Sequence, residues 1–280
     1  MSAAPDSGVT ESDPAAAIAS VSRWYHCIDI PPAGSTPGLF DLRPVVDRLP
    51  WPDVRGRRCL DVGTADGFLA FELERRGAAQ VMAVDITTHE RWDWEPHVAE
   101  RGPEYLNAVF GPDVRGGFHT AHRLLGSTVQ FAPLSVYDLD PATVGTFDVV
   151  VCGSLLLHLR EPLRALAAIR AVCDGQLLCT NQIDLERSIG PRRAPLVRID
   201  GTSGATQWWI PNAAGHVQMI RAAGFTIERR SPLYSIPFGP AHPARARAPR
   251  SVLRGLAERV LTGNPGVPHA AVLARPGNGH

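Results

Sequence analysis

Between Arg58 and Asp85 the chain switches period twice around a glycine turn. The run Arg58-Cys59-Leu60-Asp61-Val62 is apolar enough for a short buried strand, and Gly63 ends it. Thr64, Ala65 and Asp66 make a turn, and Gly67 opens a helix with apolar positions at Phe68, Leu69, Phe71 and Leu73. Gly77 stops that helix where a left-handed residue is usual. Val81-Met82-Ala83-Val84 reads as a second strand and ends at the acid Asp85. Parallel neighbours need a helical crossover, so this order commits the chain to a doubly wound α/β sheet.

The alternation continues downstream. A helix around 118–125 precedes a third strand at 128–132, and Phe147-Asp148-Val149-Val150-Val151-Cys152 is a fourth, apolar as a central parallel strand must be. Pro162 suits the first turn of a helix striped by Leu163, Leu166 and Ile169, and a fifth strand follows at 176–180. Asn212 caps a helix carrying Val217 and Ile220, Gly224 closes it, and strands at 225–229 and 270–274 complete seven. The expected fold is a Rossmann-like seven-stranded sheet with helices on both faces. Residues 1–19 read as a disordered tail, 20–50 as an N-terminal lid segment, and 51–280 as the main domain. That domain carries inserts at about 87–115, 184–211 and 231–268. Ligands of open α/β sheets bind beyond the carboxyl ends of the strands, and the first two inserts follow such ends. They are the expected place for a pocket and its lid.

Composition narrows the partners. At 44% apolar and 20% charged, a 280-residue chain has the material for a buried core. No apolar run reaches membrane-spanning length. All 28 basic residues are arginine, yet 28 acids balance them, which argues against a broad basic surface for nucleic acid. The five cysteines form no C-x-x-C pair, and no metal-ligand cluster appears. Reduced buried thiols, a cytoplasmic location and no membrane contact are the expectations, the N-terminus having no secretory pattern. The oligomeric state stays open, a homodimer included.

Chemistry concentrates in Leu60-Asp61-Val62-Gly63-Thr64-Ala65-Asp66-Gly67 and in Asp85. An acid ending the second strand can accept from both ribose hydroxyls of an adenosine. A dinucleotide site wants G-x-G-x-x-G for its pyrophosphate. Here two glycines stand four apart with Asp61 and Asp66 before them, a setting for a ligand bearing ammonium and sulfonium. The string resembles the first motif of class I S-adenosylmethionine (SAM) methyltransferases, whose seven-strand sheet matches the count above. That resemblance implies SAM as donor and S-adenosylhomocysteine as product, in a methyltransferase domain over 51–280. It places Asp61, Gly63, Thr64, Gly67, Asp85 and Ile86 around the donor, Val136 and Tyr137 at the adenine, and Gly153 beneath the methyl group.

A narrower resemblance runs through Trp24-Tyr25-His26, residues 36–44, residues 155–159, Trp208-Trp209-Ile210-Pro211-Asn212 and Val272-Leu273-Ala274-Arg275. It is to proteins labelled tRNA wobble-uridine methyltransferase-like, relatives of tRNA carboxymethyltransferases that use carboxy-SAM. Where those enzymes hold the extra carboxylate with lysine, tyrosine and arginine, this chain has His26, Leu157 and His269. A carboxylate facing Leu157 would forfeit a charge-assisted hydrogen bond, roughly 1.5–3 kcal/mol. The resemblance therefore implies ordinary SAM and a small-molecule acceptor such as a specialised metabolite. A tRNA-modifying enzyme and a catalytically silent SAM-fold binding protein are the alternatives. Methyl transfer is an in-line displacement, and a base is needed only where the acceptor must lose a proton. Catalytic candidates are His26, His158 and Asn181; substrate-binding candidates are Trp24, Tyr25, Trp208 and Trp209. His216 is a weaker one. Arg187, Arg192, Arg193 and Arg198 either meet an acidic group or form a solvated loop. The arginines at 245, 247, 250, 254 and 259 read as a polar face or loop.

Overall fold

In a computed structural model of the protein, residues 13–111, 113–189, 194–204, 206–243 and 259–277 are described. The principal sheet has eight strands: β1 (Arg58–Val62), β2 (Gln80–Asp85), β3 (Gln130–Pro133), β4 (Phe147–Gly153), β5 (Cys173–Gln182), β6 (Phe225–Arg230), β7 (Tyr234–Ile236) and β8 (Val267–Pro276). Their order is β6-β8-β5-β4-β1-β2-β3, with β7 also paired to β8. Strands β3, β2, β1, β4 and β5 are parallel, while β8 runs antiparallel between β5 and β6. The chain works outward from β1 through β2 to β3, then returns to β4 on the other side of β1. That reversal opens a crevice above β1 and β4, where Val62 pairs with Cys152.

Strand parity divides the core. Cys59, Val149, Val151 and Leu178 face one side, with α1 (Phe68–Arg75) and α2 (Gly116–Leu125). Leu60, Val62, Val150, Cys152, Leu177 and Cys179 face the other, under Leu166 and Ile169 of α3 (Pro162–Val172) and Val217 and Ile220 of α4 (Ala213–Ala222). Both faces are covered, which is why these strands are near-continuous apolar runs.

All seven expected strands are present, together with β7, which lies inside the Pro/Gly/Arg-rich 231–268 insert. Of the expected tail, residues 1–12 lie outside the described residues. Residues 14–20 depart from expectation: they form a helix, because Asp13 accepts from Ala15 N–H and Pro14 sits in the first turn. Its Ala17 and Ile18 are buried. The 20–50 segment also does more than cover a crevice, since Trp24, Ile28, Ile30, Val45 and Leu49 belong to the α1/α2 side of the core. Insert 87–115 builds a small cluster of Trp94, Val98 and Leu106, and 184–211 pairs Val197–Ile199 with Trp209–Pro211.

Candidate functional site

A cavity of about 300 Å³ opens at the carboxyl ends of β1, β2 and β4. The turn after β1 forms its floor. Gly63 has φ +74°, and a Cβ there would stand 3.0 Å from the Leu155 side chain, so glycine is needed for both conformation and space. Gly63 and Thr64 donate their N–H groups to Val84 O (2.9 and 3.3 Å), which ties the turn to β2. Gly67, also at positive φ (+92°), does not line the cavity. A Cβ there would lie 2.5 Å from the Phe71 ring, so this glycine serves the packing of α1 against α2.

Three carboxylates surround the turn, and their tasks differ. Asp61 is almost fully buried and accepts from Thr64 Oγ1 (2.7 Å). Burial pushes its carboxyl up to about 7, with the Asp85 charge adding to the rise. Asp85 accepts from Ala65 N–H (2.9 Å), from Ile86 N–H (2.8 Å) and from Arg115 Nη1 (2.9 Å). Arg115 also donates to Ala65 O (3.0 Å), so one buried guanidinium knots the turn to the end of β2. Asp66 also lines the cavity, and its Oδ2 ties down the N-terminal segment by accepting the N–H groups of Tyr25 and His26. Its burial raises it to about 6.

The remaining walls come from several elements. Leu134, Ser135, Val136 and Tyr137 follow β3, and Tyr137 donates its hydroxyl to Asp93 Oδ2 (2.6 Å). Gly153 ends β4; a Cβ there would meet Leu69 Cδ1 at 2.4 Å, so its bareness admits α1 as well as the cavity. Tyr25 and His26 close one side, ring to ring at 4.9 Å. Trp92 and Phe110 from insert 87–115 supply the aromatic wall, with Trp92 stacked on Trp94 at 4.9 Å. His158 lines the cavity and its Nδ1 donates to Thr206 O (2.6 Å). Leu157 and His269 reach the same cavity as His26, so the three positions compared above converge. Burial pushes the imidazoles of His26 and His269 down, to about 3 and about 4, and lowers His158 as well.

The expected residues Asp61, Gly63, Thr64, Asp85, Ile86, Val136, Tyr137, Gly153, Tyr25, His26 and His158 thus share one cavity. Four others stand elsewhere besides Gly67. Trp24 is buried in the core and donates Nε1–H to Ile18 O (3.0 Å). Asn181 is fully buried on the opposite parity of β5, while Thr180 and Gln182 point into the cavity. Trp208 and Trp209 donate their indole N–H groups to Asp93 O (2.6 Å) and Arg160 O (3.0 Å), and the preceding Thr206 and Gln207 line the wall instead. His216 sits beneath the sheet with Nε2 3.5 Å from Cys179 Sγ. Arg187 pairs with Asp184 and Arg198 with Asp200. Arg192, Arg193, Arg245, Arg247, Arg250 and Arg254 lie outside the described residues, and Arg259 is exposed. Arg115, Trp92 and Phe110 escaped sequence reasoning as site residues; only the adjacent tryptophans at 92 and 94 offered a signal.

A family model described as a methyltransferase domain matches residues 40–227. Over 145 residues the chain is 30% identical to the ubiquinone biosynthesis O-methyltransferase of Neisseria meningitidis serogroup C, covering 50% of this chain and 49% of that protein. The enzyme of the same name from Xanthomonas campestris pv. campestris strain B100 is 32% identical over 167 residues, 58% of this chain and 54% of the relative. The chain thus spans about half the length of these relatives. A chain from the complex between the Haloferax volcanii Trm112 methyltransferase activator and a methyltransferase superposes with a TM-score of 0.50 at 16% identity. The match covers 85% of this chain and 89% of that one, a likeness of fold.

Proposed function

Since the chain belongs to the methyltransferase-domain family, we propose that it transfers a methyl group from SAM to a hydroxyl of a small, largely apolar acceptor. The observation that carries this reading is Asp61, a desolvated carboxyl beside a glycine turn at the switch point of the sheet. A carboxyl held that high by burial gains most from a cation, and SAM brings both an ammonium and a sulfonium. The residues fit that donor. Asp61 and the bare backbone of Gly63 would meet its amino-acid end. Asp85 has acceptor capacity beyond its three bonds for a ribose hydroxyl, and Val136 with Tyr137 offers an apolar and aromatic seat for adenine. When bound, SAM supplies a methyl carbon made electrophilic by its positive sulfur.

The chain's own part is to hold, orient and dry the reactants. Leu157, Trp92 and Phe110 present apolar surface to an acceptor. Arg91 and Arg115, two of the cavity's guanidiniums, are paired with Asp138 and Asp85. The third, Arg23, lies over the Phe110 ring. A hydroxyl is the favoured methyl acceptor because the matched relatives are named O-methyltransferases. The cluster of His26, Leu157 and His269, apolar or neutral, disfavours the carboxylate of carboxy-SAM. Isothermal titration of the purified chain is expected to give saturable binding of SAM and of S-adenosylhomocysteine. Failure to bind either would overturn the reading.

A further inference from the structure

We propose that Ser154 and His269 form a proton relay that deprotonates the acceptor hydroxyl, making phenols and enols the substrate class. The proposal rests on the SAM-dependent O-methyl transfer proposed above. His269 Nδ1 lies 2.7 Å from Val267 O on the same strand, and a carbonyl only accepts. The ring proton therefore sits on Nδ1, and Nε2 presents its lone pair. Ser154 Oγ is 3.0 Å from that Nε2 and donates to it. Hydroxyl, imidazole base and orienting acceptor are thus in line, the arrangement by which an enzyme activates an oxygen.

Position supports the assignment. Ser154 is the first residue beyond β4, next to Gly153, and His269 enters β8 opposite Gln182 of β5. Both line the cavity, and their strands β4 and β8 lie on the other side of β1 from β2, which ends at Asp85, and β3, which Tyr137 follows. Ser154 holds φ +52°, a region that side chains rarely adopt, and its N–H is fixed by Thr180 O (2.9 Å). Strain of that kind gathers at working sites. The imidazole is stacked on Tyr234 at 5.8 Å and is almost fully buried. Tyr234 on β7 and His216 on α4 are the titratable groups acting on it from neighbouring elements, and burial keeps the ring neutral. Among the described residues, neither His26 nor His158 bonds a side-chain hydroxyl through its ring.

In the step, a lone pair of the acceptor oxygen forms the new C–O bond as the methyl carbon leaves sulfur, and the S–C electron pair stays on sulfur as a neutral thioether. The acceptor proton passes to Ser154 Oγ while the serine proton passes to Nε2. The imidazolium then returns its proton to solvent. A weakly basic imidazole suffices, because an oxygen gaining a methyl becomes strongly acidic.

The test compares wild type, S154A and H269N at pH 8 with SAM and two probes, catechol, which is un-ionised, and 4-nitrocatechol, which is largely ionised. Each variant is expected to lose about 100-fold in kcat on catechol and less than about threefold on 4-nitrocatechol, with unchanged SAM affinity. Equal losses on both probes, or none on catechol, would overturn the relay. If wild type binds SAM but methylates neither probe, the hydroxyl assignment and the relay fall while the donor reading stands. Imidazole ¹⁵N shifts give a readout independent of turnover: His269 is expected to be protonated at Nδ1, with an Nε2 signal that moves in S154A. An Nε2-protonated tautomer would overturn the proposal. Should H269N fail to fold, S154A decides the kinetic arm.

Discussion

Asp61 shows what burial does to a single residue. Its carboxyl lies near 7, above the ordinary 3.8, because desolvation comes first and the Asp85 charge adds to it. The protonated form thus prevails below neutrality, whereas a sulfonium or ammonium ligand selects the carboxylate. SAM affinity is expected to rise about tenfold per pH unit below 7 and to level off above 8, with a proton released on binding at the lower pH. Titrations in buffers of different ionisation heat check this, and a pH-independent affinity would remove Asp61 from the donor site. At the same scale, the part of the cavity around the glycine turn was more legible than its other walls. Asp61, Gly63 and Asp85 are tied to a local strand–turn–strand pattern whose spacing specifies where each side chain goes. Asn181 was a parity error: a strand's end is visible in sequence, but which alternate residue faces the crevice depends on its pairing with β4 and β8. Trp208 and Trp209 drew attention by size, yet their indole N–H groups needed partners and found backbone carbonyls instead.

Among elements, the N-terminal segment depends on one side chain from the β1–α1 turn. Asp66 accepts from two consecutive N–H groups of that segment, and Gly38 lets its two halves touch. A Cβ at Gly38 would stand 2.1 Å from the His26 carbonyl carbon. Replacing Asp66 by alanine leaves the part-buried Tyr25 N–H and the buried His26 N–H unsatisfied, the second at a cost of roughly 1–3 kcal/mol. In D66A, chymotryptic cleavage at Trp24 and Tyr25 is expected to run at least about tenfold faster than in wild type, since local opening becomes easier by that energy. An unchanged digestion rate would mean that the core contacts of Trp24 and Ile28 hold the segment alone. The central strands β1, β2, β4 and β5 and the strand β8 were readable as apolar runs, while β3 and β6 showed mainly through the turn residues and helices before them. The three residues of β7 are too few to show a period, and Pro232 and Pro237 on either side of it read as loop. The helix at 14–20 was hidden in an alanine-rich stretch, although Asp13 followed by Pro14 is a start signal.

Across the whole molecule, buried titratable groups pull stability in opposite directions. His26, His216 and His269 are held down to about 3, 3 and 4, against 6.5 when unfolded. Asp61 and Asp66 are held up to about 7 and 6, against 3.8. Near pH 5 the unfolded chain binds about three extra protons on the histidines, and the folded chain about two on the acids, so net stability rises by roughly 1.4 kcal/mol per pH unit. The three histidines outweigh the two acids until both sets have titrated, so ligand-free stability is expected to rise with pH up to about 7 and to level off by about 7.5. Urea melts from pH 4.5 to 8 test this; stability declining from 4.5 to 6 would contradict the assignment. The sheet order has a further consequence for biosynthesis. Strand β8, translated last of the eight, is wedged between β5 and β6, and among the described residues β6 has no other neighbour in the sheet. A nascent chain emerging from the ribosome therefore leaves the β5 edge unpaired until β8 appears, and an unpaired edge of that kind is open to pairing with other chains.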